Sequence, residues 1–170
     1  MKMDNSVLST ITASPDQTRR LGMHLGRLAQ GNQVYLLTGN LGTGKTHLVQ
    51  GIAFGLGIVE YACSPSFMIA REYHGRLPLY HLDLYRLDHL EEIAGLGLDE
   101  YFRDDSICAI EWADKGVSVL PGDNLTIRLS HLAGERRRIS FVPHGKKYDQ
   151  LVDRLKTSLQ KDREDKWNLQ

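Results

Sequence analysis

Gly39-Asn40-Leu41-Gly42-Thr43-Gly44-Lys45-Thr46 is the stretch that decides the fold, because it fits the pattern G-x-x-x-x-G-K-[ST] at every required position. Glycine adopts backbone conformations closed to other residues, so successive N–H groups of such a loop can turn inward around phosphates. In this pattern the lysine reaches the β- and γ-phosphates, and the final hydroxyl ligates Mg²⁺. The stretch therefore predicts binding of ATP or a similar nucleoside triphosphate with Mg²⁺.

The flanks of this loop supply the structural context that the pattern requires. Val34-Tyr35-Leu36-Leu37 is an unbroken apolar run, which is typical of a buried parallel strand. After the loop, apolar residues at helical spacing end at Gly57 and comprise Leu48, Val49, Ile52, Ala53 and Leu56. A strand, a glycine-rich turn and a helix follow one another in the order of a phosphate-binding loop.

The bulk properties of the 170 residues indicate one domain with a proper core. The chain has 21 Lys and Arg against 21 Asp and Glu, which excludes the strong positive charge of a protein that grips nucleic acid by itself. Neither a signal peptide nor a membrane-length apolar run is present, so we expect a cytoplasmic protein. Cys63 and Cys108 make neither a disulfide framework nor a metal set, and their surroundings favour buried free thiols.

Helical and strand patterns alternate along the rest of the chain. Ser14 followed by Pro15 predicts the start of a helix that ends at Gly31. Further strands are predicted over 67–73, 77–82, 107–110, 125–129 and 138–142, with helices over 89–94 and from about 151. We therefore predict an α/β fold: a three-layer P-loop NTPase-like domain over residues 1–160, whose central sheet is mainly parallel with an antiparallel hairpin portion. Residues 161–170 are expected to be a polar, frayed tail.

Two acidic residues follow apolar strands and are candidate partners of the loop. Glu111 comes directly after Ile107-Cys108-Ala109-Ile110, where it could hold the metal or could be a solvated strand end. Asp83 closes the run before it, and strand ends in an open α/β sheet face the ligand. Asp83 could orient water, accept a proton or hold the metal through water, or it could simply start a turn.

Three weaker candidates have equally plausible structural roles. Ser64-Pro65-Ser66 suits a switch that senses the γ-phosphate, and it is also an ordinary turn. Arg136-Arg137-Arg138 offers phosphate donors, although such runs are usually solvated; strand alternation puts Arg137 on the face opposite to its two neighbours. His81 shares a face with Asp83, where a histidine is more often packed than catalytic.

Four motifs together resemble one family, the small bacterial ATPases called TsaE or YjeE. They are G-N-L-G-T-G-K-T at 39–46, S-P-S-F at 64–67, H-L-D-L-Y-R-L at 81–87 and E-W at 111–112. The second and third motifs are far more discriminating than the phosphate-binding loop. The resemblance runs from about Thr18 to about Ser140, and Asn40, Thr43 and Ser66 depart from the residues usual in the family.

The resemblance implies a part in the threonylcarbamoyl modification of the adenosine beside the anticodon of tRNA. A family member binds ATP and Mg²⁺, docks on the TsaB–TsaD heterodimer and hydrolyses ATP there, with little activity alone. Contact with tRNA is then only indirect, through that complex, and no membrane is involved. Nothing in the sequence indicates an oligomeric state.

The resemblance also assigns roles by motif to residues of this chain. Asp83, Lys45 and Glu111 match the residues needed for hydrolysis, and Thr46 and Glu111 match the Mg²⁺ ligands. Trp112 matches the tryptophan beside the metal carboxylate. The residues that match nucleotide-contacting positions are Thr18, Leu41, Gly42, Thr43, Gly44, Lys45, Thr46 and Arg138.

Two other functions remain open on the sequence. A small nucleotide or metabolite kinase would share the loop and add a basic lid over the transferred phosphoryl group. A non-hydrolytic switch would use ATP binding alone to control docking. Loss of hydrolysis at Asp83 separates the switch from the ATPase, and a phosphorylated acceptor identifies the kinase.

Overall fold

A computed structural model describes residues 8–170 as a single sheet with helices on both faces. The strands are β1 (Leu8–Thr12), β2 (Gln33–Thr38), β3 (Ala70–Tyr73), β4 (Leu79–Asp83), β5 (Ile107–Glu111), β6 (Asn124–His131) and β7 (Arg137–His144). Their order across the sheet is β1-β7-β6-β2-β5-β4-β3. The four central strands are parallel, whereas β7, β1 and β3 run antiparallel to their neighbours. The predicted α/β class and mixed sheet are confirmed.

The helices make the outer two layers. They are α1 (Pro15–Leu28), α2 (Lys45–Gly55), α3 (Leu90–Ala94) and α4 (Lys146–Lys161). One apolar core packs α1, α2 and α4 against one sheet face, and a smaller core packs α3 and short 3-10 helices against the other. Within residues 8–170, none of the helices combines the length and apolar character that crossing a membrane requires.

The start of α1 follows from its sequence. The Ser14 hydroxyl accepts the Gln17 N–H at 3.2 Å, and the Gln17 amide oxygen accepts the Ala13 N–H at 2.7 Å. Two N–H groups that a helix start leaves unpaired are thereby satisfied. The helix ends at Leu28 rather than at Gly31.

Glycines allow α1 and α2 to touch along their backbones. A methyl group on Gly51 would lie 2.0 Å from the Arg19 carbonyl oxygen, and one on Gly22 would lie 2.3 Å from that of Leu48. Both gaps are too short for any side chain. This close approach fixes α2, and with it the loop at its N-terminus, against α1.

The parallel register places the functional side chains at one edge of the sheet. Glu111 pairs with Leu37 of β2 on one side and with Asp83 of β4 on the other. Glu111 therefore ends the strand beside β2, which leads into the loop, and Asp83 ends the next strand along, at the same edge of the sheet.

Two predictions about strands are wrong. Residues 67–69 are not extended, because the Pro65 carbonyl accepts the N–H groups of Met68 at 2.8 Å and Ile69 at 2.6 Å. These bonds form a turn, and the left-handed conformation of Ile69 (φ 67°) delays β3 to Ala70. The edge strand β1 was not predicted at all, since its five residues contain only two apolar side chains.

Two further predictions fail outside the sheet. Cys63 is exposed, because it lies in an irregular segment, whereas Cys108 is buried as expected. The C-terminal tail does not fray: the main chains of Ser9 and Gln170 exchange hydrogen bonds of 2.9 and 2.8 Å. Trp167 of the tail packs against the main core.

Candidate nucleotide and metal site

The loop between β2 and α2 adopts backbone angles that require glycine. Gly39, Gly42 and Gly44 have φ values of 145°, 77° and 99°. At Gly39 a Cβ atom would also lie 2.4 Å from the Leu129 carbonyl oxygen. The three glycines of the motif are thus needed for the shape of the loop, as the sequence pattern predicts.

Lys45 is buried inside this loop. Its ammonium group donates to the carbonyls of Gly39 and of Asn40, the latter at 3.0 Å, and it lies 4.0 Å from the centre of the Trp112 ring. Burial lowers the pKa of Lys45, while the nearby Glu111 carboxylate opposes that shift. The loop therefore holds a desolvated cation at the place where phosphate charge would arrive.

Thr46, Glu111 and His81 form a hydrogen-bonded chain beneath the loop. The Thr46 hydroxyl donates to the Glu111 carboxylate, 2.9 Å from Oε1 and 3.1 Å from Oε2. His81 Nε2 lies 2.8 Å from the same Oε1, and His81 is fully buried. Glu111 is itself only 3% exposed, so it is not a solvated strand end.

Asp83 is held separately at the neighbouring strand end. The Ser64 hydroxyl donates to its Oδ2, and the Tyr85 N–H donates to its Oδ1 at 2.9 Å. The serine of the S-P-S-F segment thus contacts the aspartate of the H-L-D-L-Y-R-L segment. Asp83 thus starts a turn, and it also lines the cavity that the loop lines.

A cavity of about 340 Å³ joins these groups. Its wall is formed by the loop residues Leu41 to His47 together with Ser64, Ser66, Asp83, Tyr85, Glu111 and Trp112. Sites for small molecules and cofactors begin at about this volume. The structure therefore brings together the predicted catalytic residues and the predicted metal ligands in one open pocket.

Of two further residues expected to contact the nucleotide, Thr18 lies beside the loop and Arg138 does not. Thr18 is buried against the loop, since a methyl group on Gly44 would contact its side chain at 3.7 Å. Arg138 is not brought to the loop. Its neighbour Arg137 donates instead to the Gly42 carbonyl, with a distance of 3.3 Å.

Arg137 lies beside the loop, where Arg138 was expected. It lines a small pocket beside the loop that Thr18 also lines. Strand alternation contained the signal, because Arg137 has the parity of Ile139 and Phe141, which belong to the core on the α2 face. Arg138 has the opposite parity and points to the other face.

The donor set fits a metal that is shared with phosphate oxygens. Among residues 8–170, no group of three or more His, Cys, Asp or Glu side chains could hold a metal alone. Mg²⁺ in nucleotide sites commonly takes one or two protein oxygens and completes its shell with phosphates and water. Thr46 donates its proton to Glu111, so its lone pairs remain available for such an ion.

Comparison with known proteins supports one family. The model of the family "Threonylcarbamoyl adenosine biosynthesis protein TsaE" matches residues 12–139. The chain belongs to the TsaE family. The matched region contains all the residues of the cavity and ends within β7.

Individual TsaE proteins align over most of this TsaE chain. The tRNA threonylcarbamoyladenosine biosynthesis protein TsaE of Bacillus subtilis is 39% identical, over 85% of this chain and 90% of its own length. The protein of that name from Treponema pallidum is 42% identical, over 78% of this chain and 98% of its own. The crystal structure of Bacillus subtilis YdiB superimposes with a TM-score of 0.79 at 34% identity, covering 89% of this chain and 96% of YdiB.

Proposed function

We propose that this TsaE-family chain is a Mg²⁺-dependent ATP hydrolase of tRNA threonylcarbamoyladenosine biosynthesis that works on the TsaB–TsaD complex in the cytoplasm. The observation that carries the proposal is the pairing of Thr46 with Glu111 beneath a phosphate-binding loop that also faces Asp83. The names of the relatives supply the pathway. The TsaB–TsaD partner is inferred from the resemblance of the four motifs to those of the family.

The loop and Lys45 account for triphosphate binding. The N–H groups of the loop and of the first turn of α2 form an anion site, and the Lys45 ammonium adds a full charge. Lys45 exchanges its bonds to the Gly39 and Asn40 carbonyls for phosphate oxygens when the nucleotide binds. Thr46 and Glu111 would hold Mg²⁺, which, when bound, neutralises charge on the β- and γ-phosphates.

Asp83 is assigned to the attacking water. It lies on the wall of the same cavity and is not hydrogen-bonded to Thr46, which leaves it free for a role other than metal ligation. Each of its oxygens already accepts one hydrogen bond, from Ser64 or from the Tyr85 N–H. We therefore expect slow hydrolysis in the isolated chain until a partner rearranges these two contacts.

Apolar side chains around the cavity support docking on a protein. Leu41, Phe67 and Met68 are 72%, 82% and 71% exposed, and Tyr85 is nearly half exposed. Exposed apolar groups near a site are a common mark of a protein interface. The balanced charge of the chain fits a protein partner better than direct contact with tRNA.

Reconstitution with purified TsaB–TsaD, tRNA, an activated threonylcarbamoyl donor and ATP tests the proposal. Addition of this chain is expected to convert a single round of modification into repeated turnover, with ADP and phosphate as products. A chain that leaves turnover unchanged would rule out the role. Radiolabelled ATP resolved by thin-layer chromatography reports a phosphorylated acceptor if the chain is a kinase.

The non-hydrolytic switch is distinguished by the same reconstitution. A switch would keep its stimulation in the Asp83→Asn variant, because nucleotide binding alone controls it. An ATPase would lose stimulation in that variant while retaining bound nucleotide.

A further inference from the structure

His81 is a fully buried polar side chain whose role the proposed hydrolysis does not yet use. It lies on β4, paired with Ala109 and two residues before Asp83, and its Nε2 atom is 2.8 Å from Glu111 Oε1. Its Nδ1 atom has no hydrogen-bond partner among the described residues. Among the described residues, only the Nε2 atom of the ring therefore has a hydrogen-bond partner.

The contact with Glu111 fixes which nitrogen carries the proton. A carboxylate oxygen and a ring nitrogen at 2.8 Å must share a proton, and an ionised Glu111 leaves that proton on Nε2. Nδ1 is left as a buried polar atom without a partner among the described residues, which costs free energy. An apolar side chain would fill the same space without that cost, so packing alone does not explain a histidine here.

The hydrogen bonds distinguish the two oxygens of Glu111. Oε1 accepts from His81 at 2.8 Å and from Thr46 at 2.9 Å, whereas Oε2 accepts only from Thr46, at 3.1 Å. The carboxylate is thus anchored through Oε1, and Oε2 is the oxygen that has more lone-pair capacity left for a cation.

We propose that His81 is a positioning residue that anchors Glu111 through Oε1, presents Oε2 to the nucleotide-bound divalent cation and so sets the cation affinity of the site. This inference rests on the proposed Mg²⁺-nucleotide function. Hydrogen-bonded supports of a metal ligand typically change metal affinity about 10–100-fold when they are removed. Binding of the nucleotide without metal does not involve Glu111 and should not change.

Three variants of the full chain test the inference. His81→Leu keeps much of the volume and removes the donor. His81→Gln places an amide N–H at the depth of Nε2, whereas His81→Asn is equally polar but one methylene too short to reach Glu111. If the leucine variant fails to fold, the glutamine and asparagine pair still decides the question.

The readout is Mn²⁺ binding to the complex with a non-hydrolysable ATP analogue, followed by electron paramagnetic resonance. We expect the Mn²⁺ dissociation constant to rise about 10–100-fold in the leucine and asparagine variants and to stay near the unsubstituted value in the glutamine variant. Fluorescent-nucleotide titration in EDTA should give the same affinity for all four proteins. Unchanged Mn²⁺ affinity in the asparagine variant, or no recovery in the glutamine variant, would overturn the inference.

Measurements on the unsubstituted chain distinguish a failure of this inference from a failure of the proposed function. If the unsubstituted chain binds Mn²⁺-nucleotide and the variants bind it equally well, only the role of His81 fails. If the unsubstituted chain itself binds no Mn²⁺-nucleotide, the proposed function fails first.

Discussion

At the scale of single residues, the two carboxylates at the sheet edge occupy different environments. Both are buried, but Glu111 contacts Thr46 and His81, whereas Asp83 accepts hydrogen bonds from the Ser64 hydroxyl and the Tyr85 N–H. A carboxylate tied to the loop threonine suits a metal. A carboxylate that is not tied to that threonine suits a water molecule.

Asp83→Asn tests this division of roles. The amide keeps the shape and can still accept the Tyr85 N–H, but it carries no charge and is no base. We expect nucleotide affinity to stay close to that of the unsubstituted chain and partner-stimulated hydrolysis to fall about 100-fold or more. Steady-state phosphate release and nucleotide titration measure the two effects. Asp99→Asn, on an exposed 3-10 helix, is the matched control and should leave both unchanged.

Lys45→Met tests the buried cation. Methionine retains most of the stem beside Trp112 and removes the ammonium, which donates to the Gly39 and Asn40 carbonyls in the free chain. Loss of a charged hydrogen bond to phosphate should weaken nucleotide binding about 10–100-fold. Isothermal titration measures the change, and wild-type affinity in the variant would contradict the assigned role.

Residue-scale prediction from sequence succeeded where spacing dictates geometry. The motif predicts that Lys45 and Thr46 face one pocket, and both line it because the loop and helix fix their directions. Arg137 rather than Arg138 contacts the loop; strand alternation separates the two residues but does not by itself say which of them faces α2. The bonds from Ser64 to Asp83 and from His81 to Glu111 join residues that are 19 and 30 positions apart in the chain, so no local pattern contains them.

At the scale of elements, the contact between α1 and α2 positions the loop. Gly51→Ala would force a methyl group to within 2.0 Å of the Arg19 carbonyl oxygen, so the two helices must separate. Overpacking of this kind typically costs about 1–3 kcal/mol. We expect a lower urea midpoint of unfolding. Because the loop leads directly into α2, we also expect weaker nucleotide binding.

Gly122→Ala is the control for this substitution. A Cβ atom at Gly122 meets nothing within 4 Å, and the residue does not need a left-handed backbone. The urea midpoint of the Gly122→Ala variant should match that of the unsubstituted chain. Equal stability of both alanine variants would contradict the close packing of the helices.

Element prediction failed where tertiary contacts decide the conformation. β1 contains three polar residues in five and is extended because β7 offers it an edge to pair with. The turn over 65–69 is set by Pro65 and by the Asp83 N–H, which donates to the Ile69 carbonyl at 2.8 Å. β2 and β5 were predicted because their apolar runs are continuous, and α2 because its apolar residues recur at helical spacing.

At the scale of the whole molecule, the C-terminal tail is a structural part of the domain. Asp162 accepts hydrogen bonds from Trp167 Nε1 at 2.8 Å and lies 3.0 Å from His24 Nε2 of α1. Burial raises the pKa of Asp162, but these bonds and the Glu164 N–H outweigh it and lower the pKa to about 2, from its ordinary value of 3.8. The tail is thus tied to the helix that packs on α2.

The depressed pKa gives this contact a definite pH dependence. The folded-state pKa of Asp162 lies below the unfolded value, so its stabilisation is complete above about pH 4 and is lost as the pH falls toward 2. Asp162→Asn should lower the thermal midpoint near neutral pH, and the difference from the unsubstituted chain should shrink across that acidic range. Calorimetry of both proteins over a pH series measures this difference in thermal midpoint. A difference that does not change with pH would show that the charge of Asp162 is not involved.

We propose that the cavity hydrolyses Mg²⁺-ATP once TsaB–TsaD completes it. The most direct measurement is the rate of phosphate release from ATP by this chain, with and without TsaB–TsaD, in Mg²⁺ and in EDTA. We expect slow release by the isolated chain, strong stimulation by the complex in Mg²⁺ only, and loss of that stimulation in Asp83→Asn. Phosphate release that the complex does not stimulate, or that persists in the Asp83→Asn variant, would contradict it.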